Sequence, residues 1–309
     1  MGIIRLKIRK VAGTNVPVLI QGESGTGKEV LARLLHFRAP WSDGLFVKVC
    51  CPAIPSTLLE SELFGYERGA FTGAYGMKPG RIEMANRGTL FLDEIGDLDM
   101  GLQAKLLQLL QDGQFSRIGA REDKRVDVRI VCATNRRLDK EIEAGAFRLD
   151  LFYRVNVLDM QLPPLRERRE DIPDLVAFFL QIHGAMIKCT PRPISSSLMQ
   201  ALEAYDWPGN IRQLENLIKR YVILGSEEEV ARDLAKSSSS TTFEPQIPAK
   251  GPISLKKITQ QAVNEIERKV ILKTLLAHHW NRKQTAQALS ISYRSLLYKI
   301  QDAGLEARS

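Results

Sequence analysis

The sequence predicts an α/β protein with a parallel sheet covered by helices, then an α-helical lid and a helical C-terminal domain. Short apolar runs over residues 16–21, 45–49, 88–94 and 128–135 alternate with helical patterns such as residues 28–37 and 102–111. This alternation is typical of βαβ units, in which successive strands run parallel. From residue 162 to about residue 225 the strand patterns stop, which predicts the smaller lid.

Composition limits the class of protein before any motif is considered. The chain has 309 residues, 44% of them apolar, which is enough for two or three domains with a buried core. No run of 18 uncharged apolar residues exists, and the basic start MGIIRLKIRK lacks the features of a signal peptide. A cytoplasmic location is therefore expected. The four cysteines lack CxxC spacing, so we expect reduced thiols and no metal site of cysteines. The net charge of +8 is compatible with nucleic acid but also with many enzymes.

Residues 22–29, GESGTGKE, form the pattern of a phosphate-binding loop. They follow a predicted strand and open a predicted helix, where glycine N–H groups approach phosphates and Lys28 reaches the β and γ oxygens. Glu29 stands where Ser or Thr usually offers a hydroxyl to Mg²⁺. The predicted ATP-binding residues of this loop are Gly22, Glu23, Ser24, Gly25, Thr26, Gly27, Lys28 and Glu29.

Two carboxylates follow the predicted strand of residues 89–92. Ligands of parallel α/β sheets bind at the carboxyl ends of strands, which is where Asp93 and Glu94 stand. We expect Asp93 to ligate Mg²⁺ and Glu94 to polarise the water that attacks the γ-phosphate. Two carboxylates ending a buried strand without a ligand would be costly.

The hexapeptide GAFTGA lies between the two halves of this predicted site and carries no charge. It consists of Gly69, Ala70, Phe71, Thr72, Gly73 and Ala74. Taken alone, it is typical of a glycine-rich turn over the core. An apolar tip between glycines also predicts a mobile loop that a partner buries.

The longer segment ESELFGYERGAFTGA, residues 60–74, resembles the loop by which bacterial enhancer-binding activators contact sigma-54 RNA polymerase. The resemblance extends over nearly the whole chain. It implies an AAA+ P-loop ATPase fold and a homo-oligomer in which dimers assemble into a hexameric ring. It also implies two partners, the sigma-54 RNA polymerase holoenzyme and duplex enhancer DNA, and no membrane. The implied division is 1–161 for the α/β nucleotide-binding subdomain, 162–228 for the lid, 229–256 for a flexible linker rich in Ser and Pro, and 257–309 for the DNA-binding domain.

The same resemblance assigns roles to side chains outside the phosphate loop. Arg148 and Arg154, in FRLDLFYRVNV, match arginine fingers that act on a neighbouring subunit's ATP; in isolation they would read as two solvated arginines on a surface helix. Thr134 and Asn135 match sensor 1, and Arg212, in WPGNIRQLENLIKR, matches sensor 2.

The sequence departs from the family at two places. Cys50 stands where an Asn usually holds the catalytic glutamate, and a thiol is a poor hydrogen-bond donor, so we expect Glu94 not to be switched in the usual way. The stretch before Arg9 that helps to line the adenine pocket is also missing. Cys50 favours an alternative, a DNA-binding regulator with a vestigial ATPase that does not act on sigma-54, whereas the intact GAFTGA segment argues against it. A generic AAA+ protein remodeller is disfavoured by the tail.

The C-terminal tail predicts a helix-turn-helix after an amphipathic helix over residues 258–278. Asn281 and Ser292 are expected to cap the two helices on either side of a turn that contains Ser290 in place of the usual glycine. The predicted inward residues are Ala286, Leu289, Leu296 and Ile300. The tail resembles the Fis-type DNA-binding domain of the same activators, and its predicted DNA-contacting residues are Tyr293, Arg294, Ser295, Tyr298 and Lys299.

Overall fold

The structure of the chain is a computed structural model. It describes residues 2–238, 267, 271, 274–275, 280–289 and 291–302. The chain divides into two compact units, residues 1–234 and residues 235–309.

The first unit is built on a five-stranded parallel sheet, as predicted. Its strands are β1 (Val18–Gln21), β2 (Phe46–Cys50), β5 (Thr89–Asp93), β8 (Arg129–Thr134) and β9 (Leu158–Gln161). They lie in the order β2-β5-β8-β1-β9, and every neighbouring pair is parallel. The carboxyl ends of all five strands therefore meet at one edge of the sheet. Strand β9, four residues long and at the margin of the sheet, was not among the predicted strands.

Helices cover both faces of this sheet. On one face lie α1 (Gly2–Val11) and α2 (Lys28–Phe37). On the other lie α3 (Ser56–Phe64), α4 (Arg81–Met84), α5 (Met100–Asp112), α6 (Leu138–Glu143) and α7 (Leu149–Val155). The helices predicted over residues 28–37 and 102–111 are confirmed as α2 and α5.

Alternation along the strands produces two separate apolar cores. Leu90 and Leu92 of β5 pack against α3, α5 and α7, whereas Phe91 between them packs against α1 and α2. Successive side chains of a strand point to opposite faces of the sheet. Because both faces are covered, the central strands read as continuous apolar runs in the sequence.

A helical lid follows the sheet. Its helices are α8 (Ile172–Ile187), α9 (Ser196–Ala204), α10 (Asn210–Leu224) and α11 (Glu227–Ser238). They share an apolar core centred on Trp207, which is fully buried and donates from Nε1 to Leu202 O over 2.8 Å.

The start of the linker predicted over residues 229–256 differs from the structure. Residues 229–238 belong to helix α11, and Val230 and Leu234 are buried in the lid core. Their four-residue spacing puts both on one helix face, which the polar residues around them masked in the sequence. The lid therefore extends beyond residue 228, and residues 239–256 lie outside the described part of the chain.

Two small antiparallel ribbons project from the α/β part. The strands β3 (Gly65–Tyr66) and β4 (Lys78–Pro79) enclose the GAFTGA segment, and β6 (Gln114–Phe115) pairs with β7 (Lys124–Arg125). The two ribbons are joined at the isolated bridge between Tyr66 and Ile118. The GAFTGA segment thus stands on a paired base and not within the core.

The second unit contains the predicted helix pair, α12 (Arg282–Ala288) and α13 (Tyr293–Asp302). The side chain of Asn281 accepts from Gln284 N, and Ser292 Oγ accepts from Ser295 N, so both predicted caps are confirmed. The predicted inward residues pack together with Ile291 and two residues of the preceding segment, and this cluster consists of Ala286, Leu289, Ile291, Leu296, Ile300, Ile271 and Leu275. Ser290 and most of residues 258–278 lie outside the described residues.

Within the described parts of the chain, every helix is too short or too polar to cross a lipid bilayer.

Candidate nucleotide site and interaction surfaces

The phosphate loop connects β1 to α2 at the carboxyl edge of the sheet. Gly25 and Gly27 have φ values of +78° and +98°, a left-handed region in which glycine avoids the strain of a side chain. Lys28, which is buried, donates from Nζ to Gly22 O over 2.9 Å. The loop is therefore closed around the amine that the sequence assigns to the phosphates.

The predicted carboxylates end β5 beside this amine. Lys28 Nζ lies 3.1 Å from Glu94 Oε1, and the backbone N–H of Asn135 donates to Glu94 Oε2 over 2.8 Å. Glu94 itself has a left-handed backbone, with φ +57°, which turns its side chain out of the strand direction. Burial and the neighbouring Glu94 raise the pKa of the Asp93 carboxyl, so the charged form of Asp93 is disfavoured here.

Glu29 has partners of its own on the first turn of α2. Its carboxylate lies 2.6 Å from Lys48 Nζ and 2.8 Å from Arg33 Nη2. Burial opposes its charge, but the hydrogen bonds from Lys48 and Arg33 hold the pKa of Glu29 below its usual range. Glu29 is thus a negative group held by two cations, unlike the neutral hydroxyl that usually occupies this position.

Cys50 occupies the carboxyl end of β2 and pairs in register with Asp93. Its side chain is half-buried, whereas the neighbouring Cys51 is buried and has its pKa raised to about 12, mainly by burial. Both carboxylate oxygens of Glu94 already have partners, Lys28 and the Asn135 N–H. The glutamate is therefore fixed in this structure by groups other than the side chain at position 50.

The two residues predicted as sensor 1 lie at the carboxyl end of β8, Thr134 as its last residue and Asn135 directly after it. Thr134 is buried, and its Oγ1 accepts from the N–H of Arg136 over 3.0 Å. Asn135 is exposed and contributes its backbone N–H to Glu94. A cavity of about 500 Å³ lies between Asn135 and the loop residues Gly22 and Glu23.

The lid reaches the phosphate loop with several side chains. Arg212 donates from Nη1 to Ser24 Oγ over 3.0 Å, as sensor 2 would require for proximity to the nucleotide. Arg166 makes two hydrogen bonds, 2.6 and 2.9 Å long, to the two carboxylate oxygens of Glu23. These bonds hold the pKa of Glu23 below its usual value.

Sequence reasoning missed three of these lid residues. They are Arg166, Arg168, which donates from Nη2 to Thr26 O over 2.8 Å, and Asn210. The only sequence signals for them were the arginine-rich segment at residues 166–169 and the position of Asn210 two residues before Arg212. Neither spacing specifies which backbone groups the side chains contact.

The two predicted finger arginines lie at either end of α7. Arg148 pairs with Asp150 over 2.6 Å, and Arg154 donates from Nε and Nη2 to Leu110 O over 3.0 and 2.8 Å. Arg154 is exposed and Arg148 is half-buried, and their described hydrogen bonds remain within α7 and α5. Their role toward a second subunit's nucleotide stays a prediction.

The GAFTGA loop is closed at its base and open at its tip. Gly69 N–H donates to Ala74 O over 2.8 Å, and Ala74 is buried. The ring of Phe71 is 44% exposed and meets the Tyr66 ring edge-on at 4.9 Å between centroids. Phe71 is therefore a half-exposed aromatic on one supporting ring, not a core residue.

All five predicted DNA-contacting residues lie on α13, as the sequence indicated. Tyr293, Arg294 and Tyr298 are exposed, and Ser295 is half-buried. Lys299 differs, since its ammonium pairs with Glu267 Oε2 over 2.5 Å. Lys299 is therefore partly neutralised within the second unit.

Three family models match consecutive parts of the chain. The sigma-54 interaction domain matches residues 1–161, more than half of the sequence. The AAA+ ATPase lid domain matches residues 166–245. The Fis family of bacterial regulatory proteins matches residues 262–302.

Curated relatives extend the match across the whole length. The regulatory protein AtoC of Escherichia coli (strain K12) is 44% identical over 96% of this chain and 64% of its own length. The Nif-specific regulatory protein of Azotobacter vinelandii is 42% identical over 98% of this chain and 57% of its own length. The DNA-binding transcriptional regulator NtrC of Klebsiella pneumoniae is 40% identical over 97% and 67%. The chain thus spans roughly three fifths of the length of the first two relatives.

Solved structures give the same result for the fold. NtrX from Brucella abortus in complex with ADP is 35% identical, covers 98% of this chain and 67% of its own, and superposes with a TM-score of 0.70. Its complex with ATP gives a TM-score of 0.69 at 35% identity. The parallel sheet with its lid and the C-terminal helix pair is therefore an AAA+ P-loop NTPase fold followed by a Fis-type helix-turn-helix. The chain belongs to the sigma-54-dependent transcriptional activators.

Proposed function

We propose that the chain hydrolyses ATP with Mg²⁺ at the edge of its sheet. The observation that carries this proposal is the convergence of the Lys28 amine and the Glu94 carboxylate at 3.1 Å, with the Asn135 N–H on the second oxygen. A carboxylate held in this way is preorganised to orient a water molecule once the amine turns to the γ-phosphate. The lid arginine Arg212, bonded to Ser24, is near enough to contact the nucleotide.

The residues present fit a magnesium ion. Mg²⁺ in phosphoryl-transfer sites is held by one or two carboxylates together with the phosphates, and it keeps several waters. Asp93 lies half-buried beside Glu94, and burial raises its pKa, so a dication there would relieve an unfavourable pair of acidic groups. Mg²⁺ would supply charge neutralisation at the β and γ oxygens.

We further propose that the chain acts as a homo-oligomeric ring, with dimers assembling into a hexamer. Arg148, half-buried just before α7, and Arg154, exposed near its end, are paired with Asp150 and a backbone carbonyl, and such contacts are weak in water. Their release toward a neighbouring nucleotide would therefore cost little. Each ATP site would then be completed by two subunits.

The proposed targets are the sigma-54 RNA polymerase holoenzyme and duplex enhancer DNA, which implies a cytoplasmic location. The half-exposed Phe71 on its closed loop supports contact with a protein partner, since its apolar ring is only partly covered within the chain. Tyr293, Arg294 and Tyr298 on α13 support contact with the major groove. ATP hydrolysis would drive the loop against sigma-54 in closed promoter complexes.

One observation favours a second candidate function. Cys50, in register with Asp93, lacks the donor strength of the family's Asn and leaves Glu94 without that switch. The chain would then be a DNA-binding regulator whose ATPase is vestigial and which does not act on sigma-54. Measured turnover decides between the two.

Substitutions of Lys28 and Glu94 should distinguish MgATP binding from ATP hydrolysis. We expect Lys28→Ala to weaken MgATP binding at least tenfold, or about 1.4 kcal/mol, in calorimetry. Glu94→Gln should retain binding and lower turnover by about 10²–10⁴-fold, since it removes a general base. Lys105→Ala, which removes an exposed lysine paired with Glu60, is the control. Wild-type binding by Lys28→Ala would place the nucleotide elsewhere.

Turnover per subunit should rise with protein concentration, because each ATP site would receive its arginine fingers from a neighbouring subunit. Arg154→Ala and Glu94→Gln chains should each be inactive alone and should recover measurable turnover when mixed, since one offers the finger and the other the base. Arg232→Ala, at an exposed lid arginine paired with Glu228, should behave as wild type. Specific activity that is constant with concentration, together with failed complementation, would indicate a self-sufficient subunit.

Truncation of Phe71 should abolish binding of the protein partner without affecting ATP hydrolysis. We expect Phe71→Ala to lose capture of purified sigma-54 in the presence of ADP–aluminium fluoride, with basal hydrolysis within twofold of wild type. Phe178→Ala removes a similarly exposed lid ring and should retain capture. Unchanged capture, or a loss of about 3–5 kcal/mol in the free energy of unfolding as for a buried Phe, would argue against this role.

The helix pair should bind duplex DNA in a salt-dependent manner. We expect the logarithm of the affinity of the full chain to fall linearly with the logarithm of salt concentration, as measured by fluorescence anisotropy. On a duplex selected from a random pool, Arg294→Ala should lose about 1–3 kcal/mol if it reads a base. Equal losses on selected and random duplexes would assign Arg294 to phosphate, and salt-independent binding would contradict the assignment. Arg232→Ala is again the control.

A further inference from the structure

Asn210 is a fully buried amide between the lid and the phosphate loop. Its Oδ1 accepts from the N–H of Leu165 over 2.8 Å. Its Nδ2 donates to Ser24 O over 3.0 Å and to Glu23 Oε2 over 3.1 Å. One side chain therefore bonds to the entry of the lid and to two successive residues of the loop.

The backbone of Asn210 is held in a conformation that most residues avoid. Its φ is +52°, a left-handed value at which glycine is the favoured residue and Asn is tolerated. Glycine at this position would satisfy the backbone but would lose all three side-chain hydrogen bonds. The presence of Asn is thus explained by what its amide contacts and not by the turn alone.

The bond to Ser24 O fixes the direction of the next N–H group. A trans peptide is planar, with its C=O and the following N–H pointing in opposite directions. Asn210 holds Ser24 O toward the lid, so the N–H of Gly25 points away from Asn210. Backbone N–H groups of such a loop are the donors that bind the phosphates of a nucleotide.

The lid and the loop are packed too closely to move independently at this point. A Cβ placed on Gly25 would lie 2.4 Å from Gly209 O and 3.1 Å from Arg212 Cβ. Gly209 immediately precedes Asn210, so the loop backbone is in contact with the same turn of the lid. A change in lid position would therefore be transmitted to the Ser24–Gly25 peptide.

We propose that Asn210 is a positioning residue that aims the Gly25 N–H at the phosphates of a bound nucleoside diphosphate or triphosphate and couples this N–H to the position of the lid. The proposal rests on the phosphate loop holding the nucleotide, as proposed above. Asn210 itself acts through Ser24 and Glu23.

Calorimetry of MgADP binding to the full chain tests this role. Asn210→Gly keeps the left-handed backbone unstrained and removes the amide, and we expect MgADP affinity to fall at least tenfold. Asn210→Asp keeps the acceptor for Leu165 but cannot donate to Ser24 O, and it should lose at least as much. Gln213→Glu is the matched amide-to-acid control, since Gln213 lies on the same helix and bonds to Gly209 and Tyr205. It should bind within twofold of wild type.

The Gly25 N–H can be observed directly. Ser24–Gly25 is the only Ser–Gly dipeptide in the sequence, so labelling of serine carbonyl carbon and glycine nitrogen yields a single peptide resonance. In wild type this resonance should shift on addition of MgADP, and in folded Asn210→Gly the shift should shrink by more than half. A purely structural role for Asn210 would lower thermal stability without changing this response.

Each outcome decides the proposal. A folded Asn210→Gly or Asn210→Asp chain that binds MgADP within twofold of wild type overturns it, as does an equal loss in Gln213→Glu. If neither variant folds, an unmoved Gly25 resonance in wild type at saturating MgADP overturns it. If Lys28→Ala binds MgADP as wild type does, the proposed nucleotide site fails instead, which distinguishes the two failures.

Discussion

The contact between the Lys28 amine and the Glu94 carboxylate is the point on which the rest of the arrangement depends. It joins the loop after β1 to the end of β5, two strands that are separated in the sheet by β8. The carboxyl ends of β1 and β5 lie at the same edge of the sheet because the strands are parallel. The apolar cores on the two faces of the sheet hold these strand ends in alignment. Because the Lys28 amine is buried, removing its partner would leave an uncompensated charge, which is destabilising. A ligand that separates Lys28 from Glu94 must therefore give the amine a new partner.

The fold was largely predictable because its signals are local. The runs that became β1, β2, β5 and β8, and the helices α2 and α5, carry their periodicity within about ten residues. Strand β9 was missed because a four-residue strand at the margin of a sheet is half-exposed and shows little of the apolar continuity of the central strands. Helix α11 was missed because its two buried residues, Val230 and Leu234, are surrounded by charges. Both elements depend on distant packing that sequence spacing does not encode.

The candidate site was predictable only where residue type and spacing determine the chemistry. The phosphate loop, Asp93 and Glu94 are of this kind, since their geometry follows from a strand, a turn and a helix. The lid contacts are not, because Arg166, Arg168 and Asn210 bond to backbone and side-chain groups more than 140 residues away in the chain. In the same way, the pairing of Lys299 with Glu267 could not be read from the outward face of α13. Long-range polar contacts are thus the information that the structure adds.

Arg117, below the GAFTGA loop, has a consequence for how tolerant that loop is to change. This buried guanidinium bonds to Glu67 at 2.8 Å and to both carboxylate oxygens of Glu83. The foot of the loop is thereby fastened by charges that lie outside residues 69–74, and the tip contributes little to holding it. Within the hexapeptide, Gly69 and Ala74 close the base, and only the tip between them is left without such contacts to the base. A foreign peptide of similar length should be accommodated there without disturbing the ATPase fold beneath it.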